Sequence, residues 1–305
     1  MGNVREILRR VNGITGTRKV TNVMKMISAT RLYKAEQKVM RGRPYLLALE
    51  ELMAELLPQI EEENIPLMQR REGNKVLYVV FSSDRGLCGS FNSMLMRLLE
   101  SRLKVAFGQS IELVVVGKKA LVHLSSKGHK IVRSYANLAK DPNVNLSELI
   151  TQDLIDIYER GDADKIQIAY NRYISKQTFE PMISSFLPLD FAEICLEIQG
   201  MQKVCSLFTS IGTAAGRYGS EFIYEPEKEK IFNYILPLFL KGFIHQVILE
   251  LYAGEHAARL NAMNQATKNA DDLVHGLTLE YYRERQKQIT TELVEVVSGA
   301  EALGA

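Results

Sequence analysis

From Asn3 to Leu57 the apolar positions fall at helical spacing. Val4, Ile7, Leu8, Val11 and Ile14 begin one stripe, Val20, Val23, Met24 and Ile27 continue it, and Leu32, Ala35, Val39 and Met40 follow. The stripe is narrow and the remaining positions are largely charged, which is the pattern of a coiled-coil helix rather than a core helix. Gly13, Gly16 and Pro44 interrupt it and predict a kink near Gly42–Pro44, and Pro58 with the polar stretch Glu61–Asn74 ends it.

The period then changes. Lys75–Phe81 is a continuous β-rich run of the kind buried on both faces of a sheet, and Glu112–Gly117 is another. Ile131-Val132, Lys165–Tyr170 and Glu180–Leu187 are shorter strand candidates, and Ser93–Val105, Lys118–Lys127 and Leu146–Arg160 read as the helices between them. Strands alternating with helices of this length predict βαβ units and a mostly parallel sheet. From Asp190 to Gly219 the pattern weakens.

After Glu225-Pro226, Glu227–Ile235 reads as helix, with Pro237 in a first turn or at a kink. Ile244, Ile248, Leu251, Leu260, Met263, Leu273, Leu277, Leu293 and Val297 mark a stripe to Ser298, and Gly299 suits a helix end. Pro237 to Ser298 as one helix would run roughly 90 Å at 1.5 Å per residue. Helices in compact domains average about 10–14 residues, so the pattern predicts a rod, with reach or mechanical transmission in its function.

Composition narrows the classes. The 305 residues, 46% hydrophobic, suffice for one large or two ordinary domains. No apolar run approaches the ~18–20 residues of a membrane span. MGNVREILRR has no apolar signal-peptide core and begins in helical pattern, so neither a signal nor a transit peptide is expected, and Glu6 breaks the myristoylation pattern. Cys88, Cys195 and Cys205 make no metal pattern and point to reduced thiols. The histidines His123, His129, His245, His256 and His275 form no i, i+4 metal pair and no triad.

The net charge of +2 hides an asymmetry, because residues 1–43 carry eleven basic side chains against Glu6 and Glu36. Such a segment is a solvated face, a nucleic-acid contact or a site for an acidic protein partner. No aromatic residue interleaves before Tyr33, which argues against a stacking platform for single strands. Ser83–Gly89 follows a strand and contains glycine, but it lacks both Gly-Lys-Ser/Thr and GxGxxG. A strand-to-helix turn facing a partner accounts for it better than a phosphate loop, with Asp84 and Arg85 pairing across the turn. On the residues alone, a basic coiled-coil nucleic-acid-binding protein and a nucleotide-binding enzyme both stay open.

Four segments narrow this further. Thr17–Thr30 (TRKVTNVMKMISAT), Ser83–Gly89 (SDRGLCG), Glu255–Ala270 (EHAARLNAMNQATKNA) and Arg285–Gly299 (RQKQITTELVEVVSG) resemble, in order, motifs of the gamma subunit of F-type ATP synthases. The departures are few. Gly89-Ser-Phe-Asn92 replaces a common Gly-Gly-Leu-Asn, Val294 stands where Thr is frequent, Asp190–Gly219 is the least family-like stretch, and no cysteine-bearing regulatory insertion is evident.

The resemblance implies an α/β protein. Its N- and C-terminal helices form a long antiparallel coiled coil, and its centre is a Rossmann-like domain with a mostly parallel sheet. The corresponding ranges are 1–60, 74–222 and 226–305. It implies a non-catalytic rotor stalk, without cofactor or nucleic acid, on the cytoplasmic side of a bacterial membrane. The partners implied are the alpha and beta subunits of a catalytic hexamer, an epsilon subunit and a membrane c-ring. It assigns partner contacts to Met24, Lys25, Asp84, Arg85, Gly86, Cys88, Arg259, Gln286, Thr290, Glu292 and Val297, and the epsilon and c-ring side to Tyr224 and Glu225. Of these, Arg259 and Gln286 would meet a beta-subunit loop, a guanidinium being a rigid fork for carboxylates or carbonyls.

Overall fold

The computed structural model describes residues 2–56, 65–106, 108–136, 138, 142, 144–189, 225 and 227–303. Cys195, Cys205, Tyr224 and the stretch Asp190–Gly219 lie outside them. The chain divides into two compact units. One is Met1–Thr30 with Arg259–Ala305, and the other is Arg31–Ala258.

Two long helices contribute to both units, α1 (Gly2–Leu56) and α5 (Lys228–Leu303). α1 continues through Gly13, Gly16 and Pro44. An interior proline removes one backbone bond and costs about 3 kcal/mol; the buried residues Val39, Arg43, Leu46, Leu49, Met53 and Leu56 hold the helix on both sides of it. α5 likewise includes Pro237 and does not stop at Gly299. A single helical glycine costs only about 1 kcal/mol, and Glu301-Ala302-Leu303 favour helix.

The larger unit is built on five strands: β1 (Lys75–Phe81), β2 (Ser110–Val116), β3 (Ile131–Tyr135), β4 (Lys165–Tyr173) and β5 (Phe179–Leu187). Between them lie α2 (Phe91–Val105), α3 (Lys118–Ser126) and α4 (Val144–Glu159). The sheet order is β3-β2-β1-β4-β5, parallel throughout except for the antiparallel pair β4–β5. β1 is central and buried on both faces, as its unbroken apolar run predicts.

On one face Val76, Tyr78 and Val80 pack with Leu95, Met96 and Leu99 of α2 and Ala120 and Leu124 of α3. The chain steps outward from β1 to β3, then returns through α4 to β4. Right-handed crossovers therefore put α4 on the opposite face. Gly117, after β2, has φ of 98°, and a Cβ there would lie 2.0 Å from the Ser82 carbonyl oxygen. Only glycine joins β2 to α3 so close to β1.

Within this unit α5 is buried around its circumference, with every residue from Gln246 to Ala258 enclosed. An 18-residue window of α5 is apolar enough to cross a membrane, but most of that window is buried inside the chain. Phe243 lies against Phe186 of β5, and Gly254 sits so close to Phe91 that a Cβ would come within 2.7 Å of its ring. Gly242 faces Leu46 while Gly42 faces Gln246 and Leu249, so the two long helices run antiparallel here.

Candidate partner interface

In the smaller unit α1 and α5 again pair antiparallel. Arg18 binds Asp271 at 3.0 Å, and the Thr267 hydroxyl donates to the Thr21 hydroxyl at 2.9 Å. The residues of α1 that turn inward follow an unbroken 3-4 spacing. Val4, Ile7, Val11 and Ile14 are followed by Arg18, Thr21, Lys25 and Ser28. Each is buried or half-buried. This is a heptad seam whose first half is apolar and whose second half is polar.

That register corrects the stripe read from the sequence. Val20, Val23 and Ile27 do not continue the seam; they are 60%, 54% and 47% exposed, and Met26 stands beside them. Met24 is half-buried, and Lys25 occupies a seam position. The sequence signal was present: stepping 3-4 from Ile14 lands on Arg18, Thr21, Lys25 and Ser28. Following the apolar residues instead leads off the seam, because here the polar side chains face in and the apolar ones face out. Leu273 of α5 is similarly exposed, while Ala270 and Val274 turn inward.

A second apolar surface lies further along α5. From Ile289 to Gly299 every residue is exposed, including Ile289, Leu293, Val294, Val296 and Val297. The pairing register explains this: Thr21 lies level with Thr267, so the start of α1 is reached before residue 289. Gln286, Thr290, Val294 and Val297 share one exposed face at i, i+4, i+8 and i+11. The Thr290 hydroxyl donates to the Gln286 carbonyl at 2.9 Å, whereas Glu292 accepts from Gln288 on another face. Arg259 is 27 positions before Gln286, about 40 Å along the helix. It is only 6% exposed and is engaged within the chain, unlike the exposed Gln286.

The turn after β1 is internally held. Ser83 N–H donates to Asn92 Oδ1 at 3.1 Å, the Ser83 hydroxyl to the Arg85 carbonyl at 2.8 Å, and Asn92 Nδ2 to the buried Cys88 Sγ at 3.2 Å. Asp84 does not pair with Arg85. Its carboxylate accepts the backbone amides of Lys118 at 2.8 Å and Leu138 at 2.6 Å, which are better fixed partners than a mobile side chain. Arg85 and Leu87 are exposed, Leu87 at φ of 61°, and Gly86 is half-buried. In doubly wound folds ligands bind beyond the strand ends at the switch in strand order, here between β1 and β4. Phe91 fills that place: it is fully buried, edge-on to Phe179 at 5.1 Å and against Gly254, and its carbonyl accepts from Asn171. Glu225 is exposed.

A family model described as ATP synthase matches residues 3–303. The ATP synthase gamma chain of Geotalea uraniireducens is 34% identical over 305 residues, covering 99% of both chains. The chain belongs to the ATP synthase gamma-chain family. The gamma chain of Moorella thermoacetica is 33% identical, over 99% of this chain and 100% of its own. Among solved structures, a chain of the Euglena gracilis mitochondrial ATP synthase, described as OSCP/F1/c-ring, superposes with a TM-score of 0.65. It is 19% identical and covers 99% of this chain and 95% of that one. The gamma-chain fold therefore includes the α/β sheet together with both long helices.

Proposed function

We propose that the chain is the central-stalk rotor subunit of an F-type ATP synthase, coupling ion-driven rotation of a c-ring to the conformational cycle of catalytic beta subunits. The observation that carries this reading, beyond family membership, is the inversion on α1. Polar residues fill the seam at Arg18, Thr21, Lys25 and Ser28 while Val20, Val23, Met26 and Ile27 face out. A chain that turns apolar side chains away from its own seam presents them to another surface. The C-terminal face from Ile289 to Val297 is a second surface of the same kind.

In this reading the chain performs no chemistry. The catalytic sites lie on the beta subunits, and Met24, Lys25, Arg259, Gln286, Thr290, Glu292 and Val297 serve the hexamer contacts. Burial of Arg259 within the chain suits a supporting role there, with Gln286 and Thr290 making the exposed contact. Asp84, Arg85, Gly86 and Cys88 form a shaped turn in which Arg85 and Leu87 are the side chains offered outward. Tyr224 and Glu225 belong to the epsilon and c-ring side. Residues 1–60 and 226–305 act as the shaft and 74–222 as the foot, and the assembly sits at the cytoplasmic face of a bacterial membrane. Family membership replaces the nucleic-acid reading that the basic segment had left open.

Co-expression with alpha and beta subunits tests this. A stable complex that contains this chain and hydrolyses ATP is expected; a hexamer that assembles without it contradicts the reading.

A further inference from the structure

A rotor of this kind must pass force between the α/β sheet and the two long helices. Resting on the rotor reading above, we infer that this transfer runs through a buried charged joint made by Arg43 of α1, Glu250 of α5 and the backbone of Tyr173 at the end of β4. Arg43 Nη2 donates to the Tyr173 carbonyl at 3.1 Å and to Glu250 Oε1 at 3.3 Å. Glu250 Oε2 accepts the Tyr173 N–H at 3.2 Å, and its Oε1 also accepts from Gln246 at 3.1 Å. One residue of the sheet is thus gripped through its carbonyl by one helix and through its amide by the other. The Tyr173 hydroxyl adds a third tie, donating to Glu36 of α1 at 3.1 Å, and Glu36 also pairs with Lys176 at 3.5 Å.

The joint is not there for stability alone. Both charged side chains are nearly inaccessible, 3% and 2% exposed, and Arg43 Nε and Nη1 and Gln246 Oε1 have no hydrogen-bond partner among the described residues. A buried ion pair with unsatisfied groups is commonly no more stable than an apolar replacement, and often less. Direction is what it adds. The hydrophobic effect is non-directional, whereas a hydrogen bond also fixes an angle. Hydrogen-bonded charges fix both helices against β4 in position and in angle. Arg43, Glu250 and Tyr173 are positioning residues for coupling, distinct from the surfaces that meet the hexamer.

The test uses the assembled, membrane-reconstituted complex carrying Arg43→Met with Glu250→Met, which removes both charges at similar volume. ATP hydrolysis, ATP-driven ion uptake and the thermal midpoint are measured together. Ion uptake per ATP hydrolysed is expected to fall about fivefold or more, the lower end of ordinary coupling between sites, while the midpoint drops modestly because the Tyr173 amide and carbonyl lose their partners. Arg43→Lys, which keeps the charge but loses the planar fork, gives a smaller fall in the same ratio and carries the test should the double variant not assemble. A wild-type ratio in these variants overturns the inference, as does a fall that disappears when the ratio is measured well below each variant's midpoint. Loss of assembly in both variants makes the joint a folding element and overturns it as well. Failure of the wild-type chain to assemble would instead strike the rotor reading itself.

Discussion

Thr21 and Thr267 show what a polar seam position does. The Thr21 hydroxyl donates to Arg18 O, and the single Thr267 proton is shared between Thr21 Oγ1 across the pair at 2.9 Å and Met263 O on its own helix at 2.8 Å. Leaving one buried hydroxyl without its partner costs about 1–3 kcal/mol, whereas replacing both by apolar groups of the same shape is near neutral. Thr21→Val and Thr267→Val singly are therefore expected to cost about 1 kcal/mol each, and together less than the sum; thermal unfolding in a double-mutant cycle reads this. Additive losses would mean that the two hydroxyls act separately. His245 of α5 behaves differently. Burial, then Lys38 and Lys241, pushes its pKa below the usual 6.5, and it faces the Ser147 hydroxyl at 3.3 Å while Lys241 is paired with Glu148. The fold favours the neutral ring, so this contribution to stability is complete above pH 6.5 and is lost as the unfolded chain gains a proton below it. The thermal midpoint should drop as the pH falls below about 6.5, and His245→Gln should flatten that slope. An unchanged slope would place the titration elsewhere.

At the scale of elements, the sheet was the most legible part. β1 and β2 are continuous apolar runs, and each helix between strands was placed within a few residues of its bounds, because local pattern and burial agree there. The antiparallel direction of β5 was not legible, since strand direction depends on a partner and not on the strand. The Arg43–Glu250 pair, 207 positions apart, carries no local signal at all. The α1 stripe failed for a physical reason: periodicity reports where apolar residues lie, not which face is buried by the chain itself. Of the candidate site, the motif marked Arg259, Gln286 and Thr290 alike, and nothing in it separates the buried arginine from the two exposed residues. The seam register yields an element-scale expectation. In the isolated chain, amide exchange should be slow at Val76–Phe81 and Val114–Val116, which are buried, and fast over Ile289–Gly299, where α5 is exposed on every side. Equal protection of that segment would show that it packs within the chain.

At the scale of the whole molecule, the proposed rotor needs surfaces that slide against a partner and joints that do not slip. The proposed rotor role would put Met24 in the first group; it is half-buried beside the exposed Val20, Val23 and Ile27. A methionine adapts to changing neighbours, whereas a lysine there would form an ion pair in some rotor positions and not in others. A partly desolvated pair contributes on the order of 1–4 kcal/mol, so Met24→Lys should lower coupling of ion flow to ATP synthesis more than it lowers assembly. Wild-type coupling in that variant would leave Met24 as packing alone. The claim on which all of this depends is that the chain turns inside a catalytic hexamer. The most direct measurement fixes the alpha and beta subunits to a surface, attaches a bead to the α/β sheet domain of this chain, and supplies ATP. Continuous rotation of the bead in one direction, stopping when ATP is withdrawn, is expected. A complex that hydrolyses ATP while the bead stays at one angle would contradict it.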